Sequence, residues 1–230
     1  ENSTIANNIS QENSGGGIFI GSESGLASIV INATFNRLSI FNNHAMSGGG
    51  IFCWSAILNL YNSTLAQNEA TNSEWSGGGL ASHYVSEPNI INSLFYNNIP
   101  NSIKNGYLQT PVLVSYSLTQ EAWGGQGNLV DIDPLFMNPY NEDFSLQLNS
   151  PCIDAGTADL DQDGTDDITD YLGAAPDMGA SETLNFGLTN FTLESSFVTP
   201  VSGSMLVSAD IFGDIIADQV IAKIKDITTG

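Results

Sequence analysis

The word Ser-Gly-Gly-Gly followed by apolar residues occurs three times, as SGGGIFI (14–20), SGGGIFC (47–53) and SGGGLAS (76–82). Three adjacent glycines disfavour a regular strand, because glycine gives up more backbone freedom on folding than any other residue. Repeating them directly before strand formers marks recurring places where the backbone turns a corner close to its neighbours. A second word, N-x-x-[apolar]-x-x-N, accompanies the first: Asn2, Ile5, Asn8; Asn62, Leu65, Asn68; Asn92, Phe95, Asn98; and Arg37, Ile40, Asn43, where Arg replaces the first Asn. Its last asparagines, at 8, 43, 68 and 98, are 35, 25 and 30 residues apart. Fixed short words at variable intervals indicate stacked repeats with insertions in the turns.

Within one interval the residues favour strands. ILNLYNSTL (57–65) is rich in strand formers, GGGIF supplies another short strand, and Asn, Ser and Gly punctuate between them. No segment before Asn98 has the period of an amphipathic helix. Two or three short strands per repeat and no helices predict an all-β solenoid, a parallel β-helix. Ile18, Ile51 and Leu80 should then stack in one inward column and Ile20, Cys53 and Ser82 in the next, because alternate strand residues share a face. Ile5, Ile40, Leu65 and Phe95 should form another, and Asn8, Asn43, Asn68 and Asn98 a ladder of side-chain amides at a turn.

The words GGGIFC and ILNLYNSTLAQNEA resemble the coil pattern of secreted bacterial right-handed β-helix proteins. These belong to the broad pectate-lyase-like superfamily that includes polymorphic outer-membrane-protein repeats. The likeness continues through DPLF (133–136), SPCIDAG (150–156) and the D-x-G-A-x-E of Asp177 to Glu182, which resemble the closing coils of such domains. It covers roughly residues 1–182 and implies a fold; lyases, hydrolases, adhesins and passive stalks all use it.

Charge restricts the partners. Four Lys+Arg stand against 25 Asp+Glu, a net charge of −21, which repels nucleic acid and anionic membranes. No apolar run approaches the roughly 20 residues of a membrane span. The acids are uneven: residues 1–130 hold seven, all Glu, whereas residues 131–182 hold thirteen. An enzyme on this scaffold would need a basic residue or clustered aspartates on its coils, and residues 1–130 offer only Arg37 and Lys104 and no Asp. No catalytic residue is assigned, and His44 and His83 fall at different corners of their repeats. Cys53 and Cys152 sit in apolar words and read as buried, unbridged thiols.

Two candidate sites remain. DLDQDGTDDITD (159–170) sets Asp159, Asp161, Asp163, Thr165, Asp167 and Asp170 at positions 1, 3, 5, 7, 9 and 12, with Gly164 at 6. That is the ligand spacing of a twelve-residue calcium loop, with Asp where Glu is usual at the end and without flanking helices. A structural calcium ion is the expected cofactor, because six uncompensated carboxylates in twelve residues repel one another. The second is an aromatic face: Phe19, Phe52, Trp54 and His83 should point outward, where they either suit the apolar faces of sugars or lie hidden under a long turn folded over them.

Residues 183–230 alternate apolar and polar residues around Thr199-Pro200 and read as the first strands of an immunoglobulin-like or fibronectin-like β-sandwich. Such a domain needs about 100 residues, so the chain reads as a piece of a longer extracellular protein. The leading expectation is a non-catalytic spacer or adhesion surface of a secreted or cell-surface bacterial protein, with polysaccharide or cell-surface glycans as partners. Alternatives are a fragment of a polysaccharide lyase or glycoside hydrolase, and a subunit of an extracellular filament joined through strand edges.

Overall fold

In the computed structural model, residues 2–21, 31–72, 76–106 and 111–183 are described, together with the strands at 186–193 and 207–213. The chain passes through four sheets in the same order, again and again. The first passage lays down β1 (Ser3–Ala6), β2 (Ile9–Ser14), β3 (Ile18–Gly21) and β4 (Ile31–Asn36). The second adds β5 (Leu38–Phe41), β6 (His44–Ser47), β7 (Ile51–Trp54) and β8 (Ala56–Tyr61). The third adds β9 (Thr64–Ala66), β10 (Glu69–Ala70), β11 (Leu80–His83) and β12 (Glu87–Ile91). β13 (Leu94–Tyr96), β14 (Ile103–Asn105), β15 (Leu113–Ser115), β16 (Leu118–Thr119) and β17 (Leu129–Val130) complete the stack. The sheets are β1-β5-β9-β13-β16-β17, β2-β6-β10, β3-β7-β11-β14 and β4-β8-β12-β15. Every pairing in these four sheets is parallel.

The expected columns are register partners. Ile18, Ile51 and Leu80 align, with Ile103 as a further member that no glycine word announced. Ile20, Cys53 and Ser82 align two residues on, and Ile5, Ile40, Leu65 and Phe95 align across β1, β5, β9 and β13. Apart from Ser82, their members form one core with Leu58, Leu60 and Ile90. Each full passage has four strands, not two or three, because ILNLYNSTL is cut at Asn62, which takes the left-handed conformation (φ 44°). Asn2, Arg37, Asn92 and Tyr116 do the same at equivalent corners, and Asn7, Asn42, Gln67 and Asn97 at the next. Asparagine tolerates this conformation better than other non-glycine residues, which is why the words carry it.

The glycine words fit where neighbouring backbones nearly touch. A Cβ on Gly49 would lie 2.4 Å from the Glu69 carbonyl oxygen, and one on Gly50 would lie 2.6 Å from that of Gly79. Gly48 also adopts φ +62°. Beside them runs the amide ladder. The Asn43 side-chain oxygen accepts from the backbone N–H and side-chain amide of Asn8 at 3.1 and 2.9 Å. Its Nδ2 donates to the Ile5 carbonyl and to Asn68 Oδ1. Asn68 repeats the pattern with Asn43 and Ile40 on one side and Asn98 on the other. Both asparagines are fully buried and use all four side-chain hydrogen-bonding positions. A serine ladder stands at another turn: Leu38 N–H donates to Ser63 Oγ, Ser63 N–H to Ser93 Oγ, and Ser93 N–H to Ser117 Oγ.

Residues 131–183 do not continue the passages. Among them only β18 (Phe136–Asn138) and β19 (Asp143–Leu146) pair, antiparallel, around a 3₁₀ turn at Pro139–Asn141. The expected closing coils are instead an irregular cover over the outer face of the six-stranded sheet. Phe136, Leu146, Cys152 and Met178 bury Leu94 and Leu118 in a second core, and Phe144 packs on Phe41 with ring centroids 5.0 Å apart. The physical reason is that this sheet is apolar on both faces, so Leu94 and Phe95, which point to opposite sides, are both fully buried. The D-x-G-A-x-E word clasps the cover. Buried Asp177 accepts from the N–H groups of Asp154 and Thr183, Gly179 N–H donates to the Asn92 carbonyl, and Ala180 N–H donates to Thr64 Oγ1. The chain divides into two compact units, Glu1–Thr183 and Leu184–Gly230. In the second, β20 (Phe186–Leu193) and β21 (Val207–Gly213) pair antiparallel; the other residues of the sandwich reading lie outside the described ones.

Two outcomes follow. Asn68→Ala strips the acceptor from two buried N–H groups of Asn43, at about 1–3 kcal/mol each, so urea unfolding should show a loss of about 4 kcal/mol. Asn8→Ala at the exposed end should cost under about 1 kcal/mol. Burial raises the Glu182 carboxyl from 4.5 to about 7, so the folded state holds a proton that the unfolded chain releases. Stability of Glu1–Thr183 should therefore fall as pH rises from about 4.5 to about 7. Melting temperatures across that window should show the decline, and Glu182→Gln should flatten it.

Candidate functional site

The aromatic face is built by register. Phe19 of β3 lies beside Phe52 of β7, and Trp54 beside His83 of β11, alternating with the core residues Ile18, Ile20, Ile51 and Cys53. Parallel strands about 4.8 Å apart force such rings to stack. Phe19 and Phe52 have centroids 5.7 Å apart at 18°, Phe52 and Trp54 6.1 Å at 27°, and Trp54 and His83 6.3 Å at 16°. The same stacking leaves the four rings unequally displayed. Phe52 is 3% exposed and His83 8%, because their faces are covered by neighbouring rings; Phe19 is 45% exposed. Sequence reasoning missed Tyr84, whose ring centroid is 3.8 Å from that of Trp54. No repeat word marks it, since it sits at a left-handed corner (φ 55°) just past β11.

These rings line two adjoining cavities. One, of about 520 Å³, is bounded by Asn13, Ser14, Phe19, Phe52 and Trp54. The other, of about 370 Å³, shares Ser14, Phe52 and Trp54 and adds Ser47, Asn72, His83 and Tyr84. Flat apolar rings beside amides and hydroxyls can stack on one face of a sugar and hydrogen-bond its rim.

The acidic loop lies elsewhere. Asp159 accepts from the N–H groups of Asp163 and Gly164, and Gly164 takes φ +91°. Carboxylate oxygens of Asp159, Asp161 and Asp167 come within 4.8 Å of one another. The other predicted ligands are not part of that group. Asp163 Oδ1 accepts from Thr165 N–H, while Asp170 pairs with Arg37, whose Nη2 also donates to the Asp170 carbonyl at 2.9 Å. The hydrogen bond to Arg37 holds the Asp170 carboxyl below its ordinary range. Arg37 is the residue that broke the asparagine word; its place at the corner lets it reach the acidic segment.

Other reactive groups are dispersed. His44 Nδ1 lies 3.5 Å from Glu69 Oε2 on β6 and β10, and Lys104 is on β14. Cys53 and Cys152 are free and buried, and burial pushes both thiols up to about 12, so neither is a thiolate at neutral pH. No known protein family, curated protein or solved structure matches the chain. At pH 7.5 an alkylating reagent should leave both cysteines unmodified in the native protein and label both in denaturant, as read by intact mass.

Proposed function

We propose that Glu1–Thr183 is a right-handed parallel β-helix of a larger secreted or cell-surface bacterial protein, acting as a rigid spacer with a glycan-binding groove. In this reading the four parallel sheets are the sides of successive coils, and Leu184–Gly230 begins an immunoglobulin-like module. The observation that carries the binding role is the groove lined by the rings of Phe19, Trp54 and Tyr84 around the covered ring of Phe52, edged by Asn13, Ser14 and Asn72. A catalytic reading has less support: Arg37 is committed to Asp170, and the carboxylates concentrate in the cover over the first sheet, away from the ring face. A glycan array should give hits with the native protein. Trp54→Ala should weaken the best of them by about tenfold or more, the loss typical of an aromatic anchor, with the melting temperature preserved. An empty array would reject the groove.

Calcium is the cofactor proposed for the acidic loop, held by Asp159, Asp161 and Asp167. Their oxygens are hard ligands within reach of one ion. It would cancel carboxylate repulsion and fasten residues 159–167 onto Ile168, a buried residue of the same segment. Calcium at 100 times its dissociation constant should stabilise the protein by about 2.7 kcal/mol. Calorimetry with and without a chelator should show the shift, and Asp159→Asn with Asp161→Asn should abolish it.

A further inference from the structure

We infer, on the basis of the glycan-binding reading above, that the ring groove takes neutral glycan chains of two or more sugars and rejects chains that carry carboxylate or sulfate groups. Length follows from the way the groove is assembled. The cavities of about 520 and 370 Å³ share Ser14, Phe52 and Trp54, so they are two parts of one trough. Its rings come from three neighbouring strands: Phe19 from β3, Phe52 and Trp54 from β7, and His83 from β11. Two strand spacings are about 10 Å, more than one pyranose ring covers. A chain lying across the strands meets Phe19 in one cavity and Tyr84 in the other, with Trp54 common to both.

Neutrality follows from the chemistry of the lining. The rim consists of Asn13, Ser14, Ser47 and Asn72, whose uncharged donors and acceptors suit sugar hydroxyls. A carboxylate or sulfate brought from water to the same place needs a guanidinium or an ammonium to replace its hydration. Residues 1–130 contain two such side chains, Arg37 and Lys104. Arg37 is paired with Asp170. Lys104 on β14 is the register partner of Ala81, which is that of Phe52, so it stands two strands from Phe52 and lines neither cavity.

The imidazole of the trough does not fill that role. His83 is 8% exposed, its ring centroid is 5.0 Å from that of Phe52, and its Nε2 lies against Gly106. The chain neighbours of the lining add negative charge instead. Exposed Glu12 directly precedes Asn13, and exposed Glu87 follows Tyr84 on β12. With a net charge of −21 behind them, these acids oppose the approach of an anionic chain. A neutral chain meets neither obstacle and still gains the ring contacts.

Titration calorimetry of the full chain in about 0.15 M salt tests this with gluco-, manno- and galacto-oligosaccharides of one to six sugars, each set against its uronic counterpart oxidised at C6. At least one neutral series should bind, with a gain of about fivefold or more from one sugar to two. Its uronic counterpart should bind at least about tenfold more weakly. Asn13→Lys, a change on the exposed rim, should narrow that gap by about threefold or more. Equal binding of the two series, a gap that Asn13→Lys leaves unmoved, or a single sugar held as tightly as its dimer would overturn the inference. In each of those cases the groove stands if Trp54→Ala still weakens the chains that bind. Binding of none of these chains overturns the groove and the inference together.

Discussion

A buried amide that satisfies itself only against its own repeat holds this structure together. Asn43 and Asn68 use two donors and two acceptors each, and every partner belongs to an adjacent passage of the chain. A polar group in that position would be costly in an apolar interior without such partners. The ladder therefore fixes the register of the neighbouring strands, and the register in turn fixes which side chains enter the core. The glycines follow from the same constraint, because the backbones it draws together leave no room for a Cβ at Gly49 or Gly50.

Stacking by register also makes the outer surfaces periodic, with different results on different sheets. On the β3-β7-β11-β14 sheet it lines up Phe19, Phe52, Trp54 and His83 into contiguous rings. On the six-stranded sheet it lines up Leu94 and Leu118, an apolar strip that water would solvate poorly. The acidic segment answers that strip, covering it with Phe136, Phe144 and Met178 while keeping its carboxylates on backbone N–H groups, on the side chains of Arg37, Asn7 and Asn42, or in solvent. One segment thus combines a second core with most of the charge of its unit.

Much of this was legible because repeats are written in local words. Every inward column drawn from the glycine and asparagine words is a register column, since an alternation of faces and a fixed spacing leave little freedom. Ile103 as a member of the glycine-word column was not legible, because Ser102 stands in its passage where the others carry the last glycine of the word. The calcium spacing was readable, yet Asp170 is engaged by Arg37, 133 residues away in the chain. Tyr84 had no signal, because its position depends on where the corner after β11 turns.

The sequence by itself determined the strand content, the repeat, the inward columns and the asparagine ladder, because these depend on side-chain periodicity and on contacts between equivalent positions. Only the tertiary structure decided that residues 131–183 fold back as a cover, that Phe52 and His83 are hidden under neighbouring rings, and that Gln120, Glu121 and Asn128 cap the last passages. Those features depend on contacts between non-equivalent segments, where surface burial sets the outcome and no local word records the partner.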